Sequence, residues 1–338
     1  MLETYKSAFL PHATMSLDLN FSPHTETRIY CQTQEHTTAL LKHLKTMAAR
    51  KLLIVGATGA QGGAVIDALL ANKSNFDIYG LTRNKASPSA LKLANRNVKM
   101  VEGDVKKPTP IFEKIGKVWG VFSMTNIGPD EEEEAKPLID CAIAKGVQFF
   151  VFTSVYRGAK SDVDPTYVPH FITKYNIEKY LIEKAAKSPQ KMGWTILRPA
   201  GFMDFLGPGF AGKSMARLVH QMGDKKLQIV YTKDIGKVAV YALENTEKCN
   251  GKAFPLAGDS LNFQEMNKIF HEEVGHDLPM APGFLVSLFF YFSNDLGKMV
   301  RWFKEGGYNL DLDRSEEFPR PIDFRTWLRT TSKWNVKK

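Results

Sequence analysis

Cysteines are scarce in this chain of 338 residues, and the three present, Cys31, Cys141 and Cys249, are widely spaced. No Cys-x-x-Cys pair occurs, so the sequence predicts neither a disulfide framework nor a zinc site, and no metal is expected. Long apolar runs are also lacking. The most apolar stretch, FLVSLFFYF at 284–292, is about half as long as a helix that spans a bilayer. We expect it to form core or to cover a pocket.

Dense runs of basic residues are missing too, although the formal net charge is +9. Spread in this way, the positive charge favours an anionic partner such as a phosphorylated cofactor, and no direct binding of nucleic acid or membrane is expected. The N-terminus has no basic segment followed by an apolar run, so no secretory signal is expected. The predicted location is the cytoplasm, with the nucleus as a second one.

The composition divides the chain into three predicted parts. Residues 1–49 are polar, with little periodicity before residue 37, and are expected to be a disordered or weakly helical leader. A chain that starts at Met47 would therefore still fold and bind its ligand. Residues 50–200 are predicted to form a nucleotide-binding domain, and residues 201–338 a C-terminal region that completes the sheet and covers the cofactor cleft.

Six short apolar runs alternate with helix-length segments from residue 51 onward. Each run is rich in β-branched and aromatic residues, as expected for parallel strands that are covered on both faces. The alternation predicts an α/β fold, a doubly wound parallel sheet of the Rossmann type, with a smaller and mainly helical C-terminal region. The runs are KLLIVG (51–56), FDIYGLTR (76–83), VKMVEGD (98–104), VWGVFSM (118–124), VQFFVFTS (147–154) and WTILRP (194–199).

A glycine motif lies between the first strand and the first helix. In this position Gly56 permits a tight turn, Gly59 lets the backbone approach a pyrophosphate, and Gly62 lets helix and strand pack closely. The phosphates would then lie at the helix N-terminus. The spacing G-x-x-G-x-x-G is typical of the short-chain dehydrogenase superfamily. The predicted cofactor contacts here are Gly56, Ala57, Thr58, Gly59, Ala60, Gln61 and Gly62.

The end of the second strand indicates which dinucleotide binds. An NAD site has an acidic residue here for the ribose 2′-hydroxyl. This strand ends in LTRNKAS, which supplies Arg83, Asn84 and Lys85 and no acid. A guanidinium can donate two hydrogen bonds to a 2′-phosphate, so the predicted cofactor is NADP(H). The alternative is that Arg83 is an ordinary surface arginine.

A second nucleotide motif competes with the first. GPGFAGKS at 207–214 matches the P-loop pattern in every letter. A P-loop needs a buried strand directly before it and a helix directly after it. Here the strand ends at Pro199, and an irregular aromatic segment follows. We therefore interpret the match as accidental.

The segment PHFITKYNIEKYLIEKAAK at 169–187 contains two overlapping pairs at helical spacing, His170-xxx-Lys174 and Tyr175-xxx-Lys179. The second pair has the Tyr-x-x-x-Lys signature of short-chain dehydrogenases. However, Lys174 borders the apolar stripe of the predicted helix, whereas Lys179 lies on its polar face. The first pair is therefore predicted to face the cofactor, and the second to face water. The acidic run 130–134 is interpreted as a solvated helix start.

Together, GATGAQGG, LTRN, EGDV, TN at 125–126, PHFITK and RPAGFMDFL resemble the NmrA-like family, an atypical branch of the short-chain dehydrogenases, over about residues 50–330. The resemblance implies that Lys174 holds the nicotinamide ribose and that His170 replaces the catalytic tyrosine. It also implies that Ser154 stands near the usual catalytic serine, where it either polarises a carbonyl or caps a turn. Further implied cofactor contacts are Asp104, Val105, Thr125, Asn126, Gly201, Phe202, Met203 and Asp204.

Two classes of function follow from the resemblance. In the first, the protein is an NADPH-dependent oxidoreductase that acts on a small carbonyl or conjugated substrate, with His170 or a water as proton donor. In the second, it is a catalytically weak sensor of the NADP(H) redox state that regulates a protein partner. A homodimer is one assembly considered. Fold alone does not decide between them.

Overall fold

The computed structural model describes residues 49–284, 286, 294–313 and 318–337. Its central sheet has seven strands, all parallel, in the order β3-β2-β1-β4-β5-β6-β9. These strands are β1 Arg50–Ile54, β2 Phe76–Thr82, β3 Lys99–Glu102, β4 Gly120–Met124, β5 Phe149–Thr153, β6 Gly193–Pro199 and β9 Lys252–Leu256. The six strands predicted from the apolar runs are confirmed. Strand β9 lies in the C-terminal region that was expected to complete the sheet, but its position was not predicted.

Helices cover both faces of this sheet, which confirms the doubly wound fold. Those before β6 are α1 Ala60–Ala71, α2 Pro88–Ala94, α3 Thr109–Ile115, α4 Glu131–Ala144 and α5 Pro169–Lys187. Those after it are α6 Phe210–Gln221, α7 Thr232–Glu244, α8 Thr246–Cys249, α9 Phe263–Val274, α10 Asn294–Lys304 and α11 Phe324–Thr330.

Two apolar layers enclose the sheet. One lies under α1 and α7 and includes Ile66 and Val238. The other lies under α4 and α5 and includes Leu138 and Leu181. In the first layer α1 and α7 pack with their backbones in direct contact. A Cβ on Gly236 of α7 would lie only 2.5 Å from the carbonyl carbon and oxygen of Ala64 in α1. A larger residue there would force the two helices apart.

The C-terminal region has a core of its own and a small second sheet. This sheet joins β7 Gly201–Phe202, β8 Leu227–Val230 and β10 Asp259–Leu261 in the order β10-β8-β7. Its core is rich in aromatic residues, among them Phe270, Trp302 and Trp327. The region is mainly helical as predicted, while its three short strands were not anticipated.

The strand order reverses between β1 and β4. Strands β2 and β3 follow β1 on one side of this boundary, and the later strands follow β4 on the other. In open parallel sheets the crevice at such a reversal, beyond the carboxyl ends of the strands, is where ligands bind. The glycine turn follows β1 and Thr125 follows β4, so both lie at this crevice.

Two predicted segments fall mostly or wholly outside the described residues: the leader up to residue 48, and most of the apolar stretch 284–292. In the part of the chain that is described, none of the helices is both long enough and apolar enough to cross a membrane.

Candidate functional site

The glycine turn after β1 has the geometry of a dinucleotide cradle. Gly56 has a φ of +67°, a conformation that favours glycine, and its carbonyl oxygen accepts a hydrogen bond from the amide of Gly59 at 2.9 Å. A Cβ on Gly62 would lie 2.2 Å from the same carbonyl oxygen. The turn therefore closes only because position 62 carries no side chain.

Helix α1 starts directly after this turn, and no side chain caps its N-terminus. Thr58, Gly59 and Ala60 are exposed, so the amides of the first turn are accessible to an anion. The side-chain oxygen of Gln61 is buried and has no hydrogen-bond partner among the described residues. Ala57 is buried in the sheet core and can reach a cofactor only through its backbone.

The three polar residues after β2 are exposed, as a binding site for a ribose phosphate requires. Within the described residues, no hydrogen bond or ion pair engages the guanidinium of Arg83. Asn84 folds back locally, and its side-chain oxygen accepts a bond from the amide of Ala86 at 2.9 Å. The amide of Lys85 donates to Glu102 at 3.0 Å. Glu102, at the end of β3, was not among the predicted residues, because its contact with Lys85 joins the ends of two neighbouring strands.

The two predicted contacts after β3 lie at the rim of the crevice. Asp104 is exposed, and its carboxylate accepts a hydrogen bond from the amide of Lys106 at 2.9 Å. Val105 is half-buried against the sheet. On the other side of β1, Asn126 is exposed directly after Thr125.

Lys174 is buried at the crevice and already bound by polar groups. Its ammonium donates to the hydroxyl of Thr125 at 2.6 Å and lies 2.9 Å from a carboxylate oxygen of Glu131. Burial is the strongest influence and lowers the pKa of Lys174, while the charge and hydrogen bond of Glu131 oppose this shift. The lysine is thus held in one position before any ligand arrives.

Glu131 corrects the interpretation of the acidic run. That run was expected to be solvated, but Glu131 is almost completely buried. Besides Lys174, it accepts hydrogen bonds from the hydroxyls of Thr125, at 2.8 Å, and Thr173. No sequence signal separates it from the three glutamates that follow, because only the position of α5 determines which acid is covered.

His170 lies one helical turn before Lys174 and is also buried. Its Nδ1 is 2.7 Å from a carboxylate oxygen of Asp295, and its backbone amide donates to the other oxygen at 3.2 Å. Asp295 belongs to α10 and was missed in the sequence, because 125 residues separate it from its partner.

The second pair on α5 faces away from this cluster. Lys179 is exposed, and among the described residues the hydroxyl of Tyr175 reaches only the carbonyl oxygen of Val163, at 3.5 Å. The cationic groups of Arg157 and Lys179 lie 5.4 and 5.2 Å from the centre of the Tyr175 ring. The placement of Lys174 inside and Lys179 outside is as the helical pattern predicted.

Ser154 is buried in a charged cluster rather than open to the crevice. Its hydroxyl donates to Glu178, which also accepts two hydrogen bonds each from Arg157 and Arg198. Burial is the largest influence and raises the pKa of Glu178, but the two arginines outweigh it and lower the pKa below its ordinary value. The hydroxyl of Ser154 thus holds a buried carboxylate, which is a role apart from the two considered for it.

The segment after β6 contributes fewer side chains than expected. Met203 is fully buried in the C-terminal core, so its side chain does not face the crevice. Asp204 accepts hydrogen bonds from the amide and hydroxyl of Thr232, at 3.0 and 2.6 Å. Gly201 and Phe202 are half-buried, and the ring of Phe202 stacks on the exposed Phe205 at 5.5 Å.

The P-loop match lies at the start of α6. A 3-10 helix, Met203–Leu206, precedes it in place of the strand that a P-loop requires. Within the described residues, no group of three or more potential metal ligands is found.

The sequence is similar to a known protein family and to individual known proteins. The profile of the NmrA-like family matches residues 48–322. An NAD(P)H azoreductase from Xenophilus azovorans is 30% identical over 209 residues, which cover 61% of this chain and 68% of that protein.

Two solved structures share the fold at low sequence identity. One is the NADPH-dependent quinone oxidoreductase of Escherichia coli in complex with NADPH, with a TM-score of 0.62, 18% identity and coverage of 82% and 98% of the two chains. The other is NmrA, a negative transcriptional regulator, in complex with NADP, with a TM-score of 0.61, 15% identity and coverage of 84% and 96%. Since the family profile spans most of the chain, from the glycine turn through the crevice to the C-terminal region, the protein belongs to the NmrA-like family.

Proposed function

We propose that the protein binds NADP(H) in the crevice and reduces a small carbonyl or conjugated substrate. The observation that carries this proposal is the buried row on α5, where His170 and Lys174 share one helical face beside Thr125. A buried lysine and histidine at the carboxyl edge of a parallel sheet, next to a glycine turn, form a typical constellation for cofactor binding and proton transfer.

The residues present fit NADP(H). The glycine turn suits the pyrophosphate, because Gly62 lets the turn close and Gly59 carries no side chain at the exposed start of α1. Arg83 and Lys85 are exposed at the position of the 2′-phosphate, where a guanidinium adds charge-assisted hydrogen bonds. The related quinone oxidoreductase and NmrA were solved with NADPH and NADP, respectively, which supports the same cofactor here.

Each residue of the buried row has a distinct role in this proposal. Bound NADPH would supply the hydride and be oxidised to NADP⁺. Lys174 would donate to the hydroxyls of the nicotinamide ribose, replacing its long contact of 3.3 Å to the carbonyl oxygen of Thr125. His170 would give a proton to the substrate oxygen as negative charge develops there.

Two measurements test the proposal. Calorimetry with NADP⁺, NADPH, NAD⁺ and NADH should show tighter binding of the two phosphorylated forms. The loss of NADPH absorbance should then be followed with quinone, azo and conjugated carbonyl acceptors. His170→Phe should slow turnover by roughly 10²–10⁴-fold, and Tyr175→Phe should leave it nearly unchanged. Loss of turnover only in Tyr175→Phe would contradict the assignment.

A redox sensor is the second candidate. It is favoured by the absence of a tyrosine at position 170 and by the hydroxyl of Ser154, which donates to Glu178. The relative NmrA is described as a transcriptional regulator. Strong discrimination between NADP⁺ and NADPH, without turnover of any acceptor, would favour this role over reduction.

A further inference from the structure

We propose that Asp295 is the positioning residue for His170: it fixes the proton on Nδ1 and leaves Nε2 as the nitrogen that exchanges a proton. This inference rests on the proposed reductase function and names the group that would make His170 a directed acid. Asp295 carries it because it contacts His170 twice, through both carboxylate oxygens.

The two contacts define the orientation and tautomer of the ring. A carboxylate can only accept hydrogen bonds, so the ring nitrogen 2.7 Å from Asp295 must carry a proton. The second oxygen accepts from the backbone amide of the same residue at 3.2 Å. The imidazole is therefore held relative to its own backbone, and rotation about its side-chain bonds is restricted.

Asp295 also caps the start of helix α5. The first turn of α5 leaves the amide of His170 without a helical partner, because the amides of Phe171 and Ile172 already donate to the carbonyl oxygen of Val168. Val168, at the N-cap position, provides no side-chain acceptor. Asp295 supplies both an acceptor and a negative charge at this end, where the helix dipole favours one. A single carboxylate thus caps the helix and orients the ring.

Packing holds α10 in the position that this contact requires. Trp302, two turns after Asp295, meets the ring of Phe171 edge-on at 5.1 Å, and Phe171 in turn meets His170 at 4.5 Å. Among the described residues, Nε2 of His170 has no hydrogen-bond partner. The C-terminal region therefore completes the site by contributing a residue to it.

The proton transfer follows from this arrangement. With Nδ1–H bound to Asp295, a doubly protonated His170 releases the proton on Nε2. That N–H bond breaks as an O–H bond forms on the reduced substrate oxygen, and the neutral ring keeps the proton on Nδ1. Solvent then returns a proton to Nε2.

The test uses Asp295→Asn in the full chain, with Glu305→Gln as matched control. Glu305 directly follows α10, and its carboxylate accepts a hydrogen bond at 2.6 Å from the hydroxyl of Tyr167, just before α5. The control therefore also removes a carboxylate that joins the end of α10 to the start of α5. ¹⁵N NMR of the labelled histidines, with His170→Gln to assign the signal, reports the tautomer without any turnover. We expect a proton on Nδ1 of His170 in the parent and in Glu305→Gln, and a mixture of tautomers in Asp295→Asn.

Kinetics provide the second readout. Asp295→Asn should lower kcat by at least tenfold with little change in the KM for NADPH. The double variant with His170→Gln should be no slower than His170→Gln alone, because Asp295 acts only through the ring. Asp295→Glu should recover part of the rate.

Several outcomes would overturn the inference: an unprotonated Nδ1 in the parent, an unchanged tautomer in Asp295→Asn, an equal effect in Glu305→Gln, or additive losses in the double variant. Absence of turnover in the parent would refute the proposed reductase function. The NMR result would still decide whether Asp295 fixes the tautomer.

Discussion

Replacing Lys174 by methionine keeps the length of the side chain and removes its charge. The structure predicts a loss of stability, because the buried carboxylate of Glu131 then keeps only the hydroxyls of Thr125 and Thr173 as partners in the described part of the chain. Breaking a buried ion pair by removing one partner costs about 3–5 kcal/mol. Urea denaturation monitored by fluorescence would measure this loss in the free energy of unfolding.

The same substitution should weaken cofactor binding by a separate route. A hydrogen bond from an ammonium to the ribose contributes about 1.5–3 kcal/mol, which corresponds to roughly a 10- to 150-fold rise in the Kd for NADPH. Calorimetry below the unfolding transition measures this effect independently of stability.

Two further variants separate stability from binding. Lys179→Met lies on the exposed face of the same helix, so its free energy of unfolding and NADPH affinity should stay within about 0.5 kcal/mol of the parent. The double variant Lys174→Met/Glu131→Gln leaves no unpaired charge and should regain much of the stability. Its NADPH affinity should stay low. Equal losses in Lys174→Met and Lys179→Met would refute the assignment.

The pH dependence of stability provides a further check on Lys174. Burial lowers its pKa in the folded state below the ordinary value of 10.5. Between the pKa of Lys174 in the folded state and its pKa in the unfolded chain, the unfolded chain binds more protons. The free energy of unfolding therefore rises as the pH rises through that range. Lys174→Met should remove this contribution, and an unchanged pH profile would contradict it.

Three other predictions follow from the site and its surroundings. Arg83→Glu should lower NADP(H) affinity at least tenfold while NAD(H) affinity stays level or rises in calorimetry; equal losses would refute the 2′-phosphate assignment. Gly62→Ala should abolish NADPH binding, because its Cβ would overlap the turn, whereas Gly63→Ala has 3.6 Å of clearance and should retain it. Glu178→Gln should cost about 3–5 kcal/mol in denaturant unfolding, since it leaves the buried Arg157 without a carboxylate among the described residues and Arg198 with only the exposed Asp162; a cost below about 1 kcal/mol would contradict this.

Local pattern was sufficient for much of the fold. The six predicted strands appear because fully buried parallel strands, such as β5 with all five residues buried, leave an unbroken apolar run in the sequence. The glycine turn and the buried face of α5 were likewise predictable, since spacing alone determines which side chains share a helical face. These features depend on neighbours within a few residues.

The residues missed in the sequence all depend on distant contacts. Glu131 resembles the acids beside it, and only α5 distinguishes it by covering it. Asp295 reaches His170 across 125 positions. Strand β9 pairs with β6 at the sheet edge after a long intervening segment. In each case the partner is chosen by tertiary packing, which one sequence does not display.

Helix α5 unites these contacts along one face. His170, Lys174 and Glu178 follow each other at intervals of four residues, so they form a row on the same side of the helix. Each is bound by a different element: the ring by α10, the ammonium by the start of α4, and the carboxylate by arginines after β5 and in β6. Tyr175 and Lys179 are each one position later on the helix and therefore lie off this row. His170 and Lys174 thus fix the helix in the fold and also line the crevice, which is why binding and unfolding must be measured separately for substitutions at these two positions.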